Sequence, residues 1–391
     1  MTQTPRQPSA VRAGRLLPMT PDGAVINDGA LILDGNRILA AGPAASTLKG
    51  FSGRVRDLGE AVLVPGLCNM HNHLELSHVK GLPPKGKGFS EWVAWLIKQP
   101  LQFLTEDAVA AAVREMRETG TVFTADIASR NPGMIARACA REGLDILHFI
   151  EFFGFSAPKD GVLDWPKAAS QPPLDPALPN FAAAGHALYS THPETLRLAK
   201  AWDAARGRVF SLHLAEHQGE TEMLASGTGA FADLLKVRVV PKTYAPPGLS
   251  PVMTAASLGL LDEKTLAAHC VRLDGRDIAA LAGSGASVCL CPRSNAYIGV
   301  GQAPAGALKK AGLNLCLGTD SLASNDDLDL WNEVRHLLEH DAGLTLRDCL
   351  KAMTVNPARL LGREGELGVL APGAVGGYAV MPPDLSSLPL D

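Results

Sequence analysis

The chain lacks the marks of several functional classes. It has no basic run, and its 36 Lys and Arg are set against 40 Asp and Glu. The electrostatic footprint of a nucleic-acid binder is therefore missing. No apolar stretch approaches the roughly 20 residues that cross a bilayer, so neither a membrane span nor a membrane partner is expected. The stretch Met1–Ala10 is polar and has no signal-peptide core. No repeat or low-complexity tract is visible. The seven cysteines, Cys68, Cys139, Cys270, Cys289, Cys291, Cys316 and Cys349, are odd in number and scattered through apolar runs. That excludes a disulfide framework. Cys289 and Cys291 share one face of an expected strand. They could bind metal, but read better as small buried core residues. These absences together predict a soluble, cytoplasmic protein that acts on a small molecule.

What is present is apolar substance and many turns. The 391 residues are 46% hydrophobic, with 39 Gly and 28 Pro, enough for a large core built from short elements. At the N-terminal end Ala30–Asp34 and Arg37–Ala41 flank Gly35-Asn36, a hairpin pattern. A similar texture returns at Gly368–Leu370 and Tyr378–Met381. The two ends, 1–60 and 362–391, are therefore expected to form one small β-domain of sandwich type. Between them, over 61–361, short apolar runs alternate with helical stretches. The expected strands are Val62–Met70, Thr121–Asp126, Ile146–Phe152, Ala183–Tyr189, Val209–Leu214, Thr265–His269, Ala286–Leu290 and Leu313–Leu317. Near-continuous hydrophobicity suits parallel strands covered on both faces. Helical patterns such as Glu106–Glu118 and Leu328–Leu338 lie between them. The third connection, Ser156–Asn180, is Pro-rich and reads mostly as loop. Eight β-then-α units predict a (β/α)8 TIM-type barrel of the α/β class, whose functional side chains close the C-terminal ends of strands.

That expectation selects particular residues. The first strand ends in His71-Asn-His73, whose two imidazoles point the same way because strand side chains alternate. The fifth ends in His213, followed by Glu216. The sixth ends in His269, and the eighth in Gly-Thr-Asp320. One polar residue closing an apolar strand is commonly a satisfied rim residue. Four strands ending this way are harder to set aside, because buried ionisable groups are costly unless paired or bound to metal. Two neutral imidazoles on one side make half of a zinc site.

The pattern Val64-Pro-Gly-Leu-Cys-Asn-Met-His71-Asn-His73-Leu, His213-Leu-Ala-Glu216, His269-Cys270 and Leu317-Gly-Thr-Asp320 resembles the amidohydrolase superfamily. The resemblance is closest to its branch of cytosine, guanine and adenosine-type deaminases and chlorohydrolases, and Thr354–Ala358 and Leu367–Gly373 fit as well. It implies one divalent metal ion, zinc first and iron or manganese next, held by His71, His73, His213 and Asp320. Glu216 is implied as proton shuttle, and His269 beside the activated water. Such an ion lowers the pKa of water from about 15.7 to roughly 7. The lysine that bridges two metals in binuclear members is missing after Ile150-Glu151-Phe152 and after Leu188-Tyr189, which argues for one ion. Gly376-Gly-Tyr378 replaces the usual Ala-Asp-Leu, away from the site. The resemblance also implies a homodimer.

Substrate contacts are less legible. Arg293, in Cys-Pro-Arg293-Ser-Asn295, could pair with a substrate anion or serve in a structural ion pair at the rim. His186 matches a substrate-contacting element of purine-type deaminases, and Asn295 belongs to the same expected set. Glu75 could line the pocket. His78 reads as a loop residue and His192 as a turn residue. Trp92 could stack on a planar ring or pack its helix. These motifs most resemble those of aminodeoxyfutalosine deaminases, which implies an adenine nucleoside joined to a benzoate, on a route to menaquinone. Deamination of S-adenosylhomocysteine, adenosine or guanine, dehalogenation of a triazine-like ring, and a non-catalytic barrel relative are the alternatives.

Overall fold

The computed structural model describes residues 7–341 and 343–391, so the first six residues of the polar stretch Met1–Ala10 and of the 1–60 segment lie outside it. Strands β1 (Ser9–Leu16), β2 (Ile26–Asp34) and β3 (Arg37–Pro43) form an antiparallel meander. The free edge of β1 is long enough for two partners in succession. β4 (Val55–Asp57) pairs along its first half and β5 (Val62–Pro65) at its end, both parallel. The last strand of the chain completes this six-stranded sheet by pairing antiparallel with β5, with Tyr378 opposite Pro65. Where two facing sheets were expected, one hydrogen-bonded sheet joins the two ends of the chain. Leu16, Leu31, Ile38 and Leu63 fill its inner face.

The second sheet is the barrel. Its strands are β6 (Leu67–Asn72), β7 (Thr121–Ala128), β8 (Asp145–Phe152), β9 (Phe181–Ala187), β10 (Phe210–Leu214), β11 (Thr265–His269), β12 (Ser287–Leu290) and β13 (Asn314–Leu317). They are parallel and hydrogen-bonded in chain order. The barrel closes through a bridge between Asn72 and Asp320, where the Asp320 amide donates to the His71 carbonyl at 3.0 Å. Gly318 makes that closure possible, since a Cβ there would lie 2.6 Å from His71 Cβ.

The expected strand Val62–Met70 is two strands in two sheets. The chain switches at Gly66, where a Cβ would meet Val122 Cγ1 at 2.4 Å and the Gly376 carbonyl at 2.7 Å. Both halves are fully buried, so hydrophobicity gave no sign of the break. The helix Glu106–Glu118 follows its pattern. Thr105 caps it by accepting from the Ala108 amide, and Val109, Ala112, Val113 and Met116 turn inward. The helix expected over Leu328–Leu338 is displaced to Leu330–His340, because Asp329 accepts from the Trp331 amide and sets its start. The stretch 156–180 holds two short 3-10 turns, Lys159–Gly161 and Lys167–Ser170. β14 (Tyr378–Val380) ends the strand series. Among the described residues, no helix is long and apolar enough to cross a membrane.

Candidate metal centre and pocket

The C-terminal ends of β6, β10, β11 and β13 bring four histidines and one aspartate together. Strand alternation aims His71 and His73 to one side, and their ring centroids are 5.0 Å apart. His213 lies 4.9 Å from His71 and 5.3 Å from His73, and His269 lies 5.2 Å from His213. Asp320 Oδ1 faces His73 Nε2 at 3.5 Å and His71 Nε2 at 3.7 Å. Its other oxygen, Oδ2, accepts from Ser294 Oγ at 2.6 Å and Ser324 Oγ at 2.8 Å. One carboxylate oxygen is thus anchored, and the other is left to the histidines.

The hydrogen-bond chain fixes the imidazole tautomers. Asn295 Oδ1 can only accept, so His269 Nδ1 donates to it at 3.0 Å. A neutral His269 then accepts at Nε2 from His213 Nδ1, at 3.1 Å. His213 is left with a bare Nε2 lone pair. Among the described residues, neither that atom nor either ring nitrogen of His71 has a hydrogen-bond partner, although all are buried. Burial holds the pKa of each of these histidines below its ordinary value. Asp320 is held below the usual carboxylate range despite its own burial, chiefly by His73 and His269. Bare nitrogens, an anionic oxygen and neutral imidazoles are the donor set a divalent cation needs. His71, His73 and His213 offer atoms close enough to share one ion.

The backbone is strained at the same place. Ala215, His269, Cys270 and Asp320 have φ of 52°, 73°, 48° and 57°, in the left-handed region that costs non-glycine residues about 1–3 kcal/mol each. These turns carry the chain out of the strands while holding His269 and Asp320 inward. Glu216 follows the Ala215 turn and is 4% exposed. Its Oε1 lies 3.8 Å from His269 Nε2. Burial first, and the Asp320 charge second, push its carboxyl well above the usual range.

A cavity of about 460 Å³ opens over this cluster, bounded on one side by Phe89, Trp92, Leu96, Phe231 and Leu235 and on the other by His73, Glu151, His186, His213, Glu216 and Asp320. A cavity of about 560 Å³ between Leu17–Ala24 and the helices around Arg347–Arg359 contains none of these groups. Glu75, Trp92 and His186 line the smaller cavity. Trp92 is held by donation from Nε1 to the Ala323 carbonyl at 2.8 Å. Glu75 accepts from the Ser129 and Arg130 amides at 3.2 and 3.0 Å and so orders the loop after β7. His186 Nδ1 pairs with Ser190 Oγ. Two expected contacts sit elsewhere. Asn295 is fully buried beneath the pocket and bonded to His269. Arg293 points to the helix Leu330–His340 side, where it forms a two-pronged pair with Asp327 and approaches Glu333 at 3.7 Å. Its guanidinium is committed to the rim. Ser294, Ser324 and Glu151 were not singled out from the sequence. Ser294 lies between Arg293 and Asn295, and Ser324 follows Asp320 by four residues. Glu151 is a charge closing the apolar strand β8, the same signal that picked out His213.

With the barrel and its rim defined, similarity to known proteins becomes informative. Residues 62–381 match the model of the amidohydrolase family, and the chain belongs to that family. It is a hydrolase acting on carbon–nitrogen bonds. The chain is 31% identical over 327 residues to a 5-methylthioadenosine/S-adenosylhomocysteine deaminase of Nitratidesulfovibrio vulgaris Hildenborough, covering 81% of this chain and 69% of that one. It is 29% identical over 385 residues to the enzyme of the same name from Syntrophobacter fumaroxidans, covering 94% and 83%. Among solved structures, the Helicobacter pylori aminofutalosine deaminase in complex with methylthio-coformycin superposes with a TM-score of 0.80 at 20% identity, over 95% of this chain and 91% of that one. An adenosine deaminase from Xanthomonas campestris with bound zinc gives 0.75 at 24% identity, over 97% and 85%. These superpositions support the barrel fold.

Proposed function

We propose that the protein is a zinc-dependent hydrolytic deaminase of an adenine nucleoside. The observation that carries this reading is the placement of Glu216 and His269 beside the His71, His73, His213 and Asp320 cluster, at the base of one pocket. The relatives near 30% identity, named for deamination of adenine nucleosides, support it. The three histidines and Asp320 would hold the ion, and when bound it supplies Lewis-acid activation of a water. Glu216 takes a proton from the attacking water and gives it to the ring nitrogen. A proton then passes to the departing amine, so water and an aminopurine become a hydroxypurine tautomer and ammonia. Burial raises the proton affinity of the Glu216 carboxylate, which favours the uptake that a shuttle needs. His269 is oriented by Asn295 and in turn orients His213.

Within this class, the reading favours an adenine nucleoside with a further apolar group, of which 6-aminodeoxyfutalosine, on a route to menaquinone, is the first candidate. The wall of Phe89, Trp92, Leu96, Phe231 and Leu235 suits such a group. Arg293, engaged by Asp327, is no longer the proposed partner for its carboxylate. Ammonia release from 6-aminodeoxyfutalosine, 5-methylthioadenosine, S-adenosylhomocysteine, adenosine and guanine tests the proposal, alongside metal analysis of protein purified without added ion. Turnover of 6-aminodeoxyfutalosine with the highest kcat/KM is expected. Turnover of another nucleoside alone overturns the finer reading. Chloride release from a chlorotriazine without ammonia release from any of the five overturns the deaminase reading. Glu216→Gln is expected to lower kcat by about 10²–10⁴-fold with metal retained.

A further inference from the structure

One group in the pocket has no role in the scheme above. Glu151 closes β8, is 8% exposed, and lines the cavity with Glu216 and Asp320. Its Oε1 is buried and has no hydrogen-bond partner among the described residues. It lies 3.8 Å from His213 Nε2, while His213 Nδ1 faces His269. Glu151 and the pair Glu216–His269 therefore flank opposite nitrogens of one imidazole. The charged groups around Glu151 are Glu75, Asp320 and Arg130. Arg130 is turned to Glu75, at 3.7 Å from its Oε1. Native proteins rarely leave a buried carboxylate oxygen without a donor, because the desolvation it suffers is not offset. A carboxylate that faces a pocket and lacks a protein donor is built to receive one from the ligand.

Resting on the deaminase reading, we infer that Glu151 is a specificity-determining residue. Its free oxygen accepts a hydrogen bond from the amino group that the reaction removes, and it thereby selects an amine over a halide at that position. An amino group offers two N–H donors and becomes a stronger donor as it takes up a proton on departure. A chlorine atom offers no proton and develops negative charge as it leaves, which an acceptor oxygen disfavours. The same buried oxygen favours one leaving group and disfavours the other, as discrimination by an unpaired buried polar group requires.

The test compares the adenine nucleoside turned over fastest in the panel above with its 6-chloropurine counterpart, in the wild type, Glu151→Gln, Glu151→Leu and Glu151→Asp. Folding is checked by circular dichroism, and bound metal per chain by elemental analysis. The wild type is expected to prefer the amine. Replacing the carboxyl is expected to lower kcat/KM for the amine about 10- to 100-fold, the range of a hydrogen bond from a group that gains charge. The ratio of amine to chloride turnover should fall by a similar factor, with metal content unchanged. Glu151→Asp, which keeps the carboxyl but retracts it, should fall between. An unchanged ratio in Gln and Leu variants that retain metal overturns the inference. Loss of metal in step with activity also overturns it and makes Glu151 a metal ligand. If the wild type releases ammonia from no adenine nucleoside, the deaminase reading itself fails, an outcome seen before any variant is made, and this inference falls with it.

Discussion

The two halves of the barrel's own strands differ in kind. Towards the floor, Cys68, Phe123, Phe149, Ala182, Ala184, Leu266, Cys289 and Cys316 form an apolar cluster with no group that asks for a partner. A few residues further along the same strands, the rim holds a cluster of four histidines and Asp320 beside Glu216, four left-handed non-glycine residues, and bare imidazole nitrogens. The floor is satisfied by packing alone. At the rim, both ring nitrogens of His71 and Nε2 of His213 pair with no protein group among the described residues. Each end of one strand thus serves a different purpose, and β6 shows it most plainly, with Cys68 and Met70 below and His71 above.

The comparison breaks most visibly if one residue is removed from each end. His71→Ala is expected to abolish activity and metal binding. It should leave the metal-free protein about as stable as before, because a buried imidazole without partners contributes little beyond its packing. Phe149→Ala at the floor should do the reverse. It should lower stability by about 3–5 kcal/mol through lost burial and a cavity, while the folded fraction keeps its metal and its KM. Urea unfolding of the metal-free proteins, with metal analysis and kinetics on the loaded ones, checks both. Equal stability losses at the two ends would mean that the rim is ordinary core.

That contrast also explains how much could be read from the sequence. The eight barrel strands announce themselves because burial on both faces makes them apolar, and β11 coincides with its expected Thr265–His269. His71, His73, His213 and Asp320 stand out because a charge that ends an apolar strand is conspicuous. What stays hidden has no such contrast. The switch at Gly66 separates two equally buried runs. Arg293 was equally compatible with a substrate anion and with Asp327, since pairing depends on a residue 34 positions away. Ser294 and Ser324 hold Asp320 from separate segments, and a lone serine carries no pattern of its own. Glu151 closes the apolar strand β8 as His213 closes β10, but it stands in no motif with a second ionisable residue.

A smaller effect sharpens the border between rim and floor. Asn295 is fully buried and touches no pocket surface, yet it fixes the His269 tautomer and through it the bare Nε2 of His213. Asn295→Ala should weaken metal affinity or activity about 10- to 100-fold, the usual effect of losing a residue that orients a ligand. Asn295→Asp keeps an acceptor at that atom and should recover most of the loss. Competition with a metal-sensitive dye gives the affinity. If alanine and aspartate behave alike, the tautomer chain is not what holds His213.

The smallest effect is graded and concerns buried histidines at the rim and lower on the strands alike. Burial lowers the pKa of His186 to about 3 and that of His217 to about 3, against an ordinary 6.5. His148, on β8, falls to about 4 for the same reason. In each case the folded protein keeps the imidazole neutral while the unfolded chain takes up a proton. Between about pH 6.5 and pH 3–4 the unfolded state therefore binds more protons at these histidines, and their contribution to stability rises with pH across that window, while Glu220 and Glu333, whose carboxyls burial pushes up to about 8, contribute in the opposite sense. The histidines' share is fully present above the unfolded value and is lost on acidification, by up to about 1.4 kcal/mol per pH unit for each histidine. Urea unfolding of the metal-free wild type and of His148→Gln at pH 7.5, 6.0, 5.0 and 4.5 isolates one share. The variant's stability should rise less with pH than the wild type's below pH 6.5, by one histidine's share. An unaltered slope in that variant would mean that His148 titrates alike in the folded and unfolded states, and that burial on β8 does not keep its imidazole neutral.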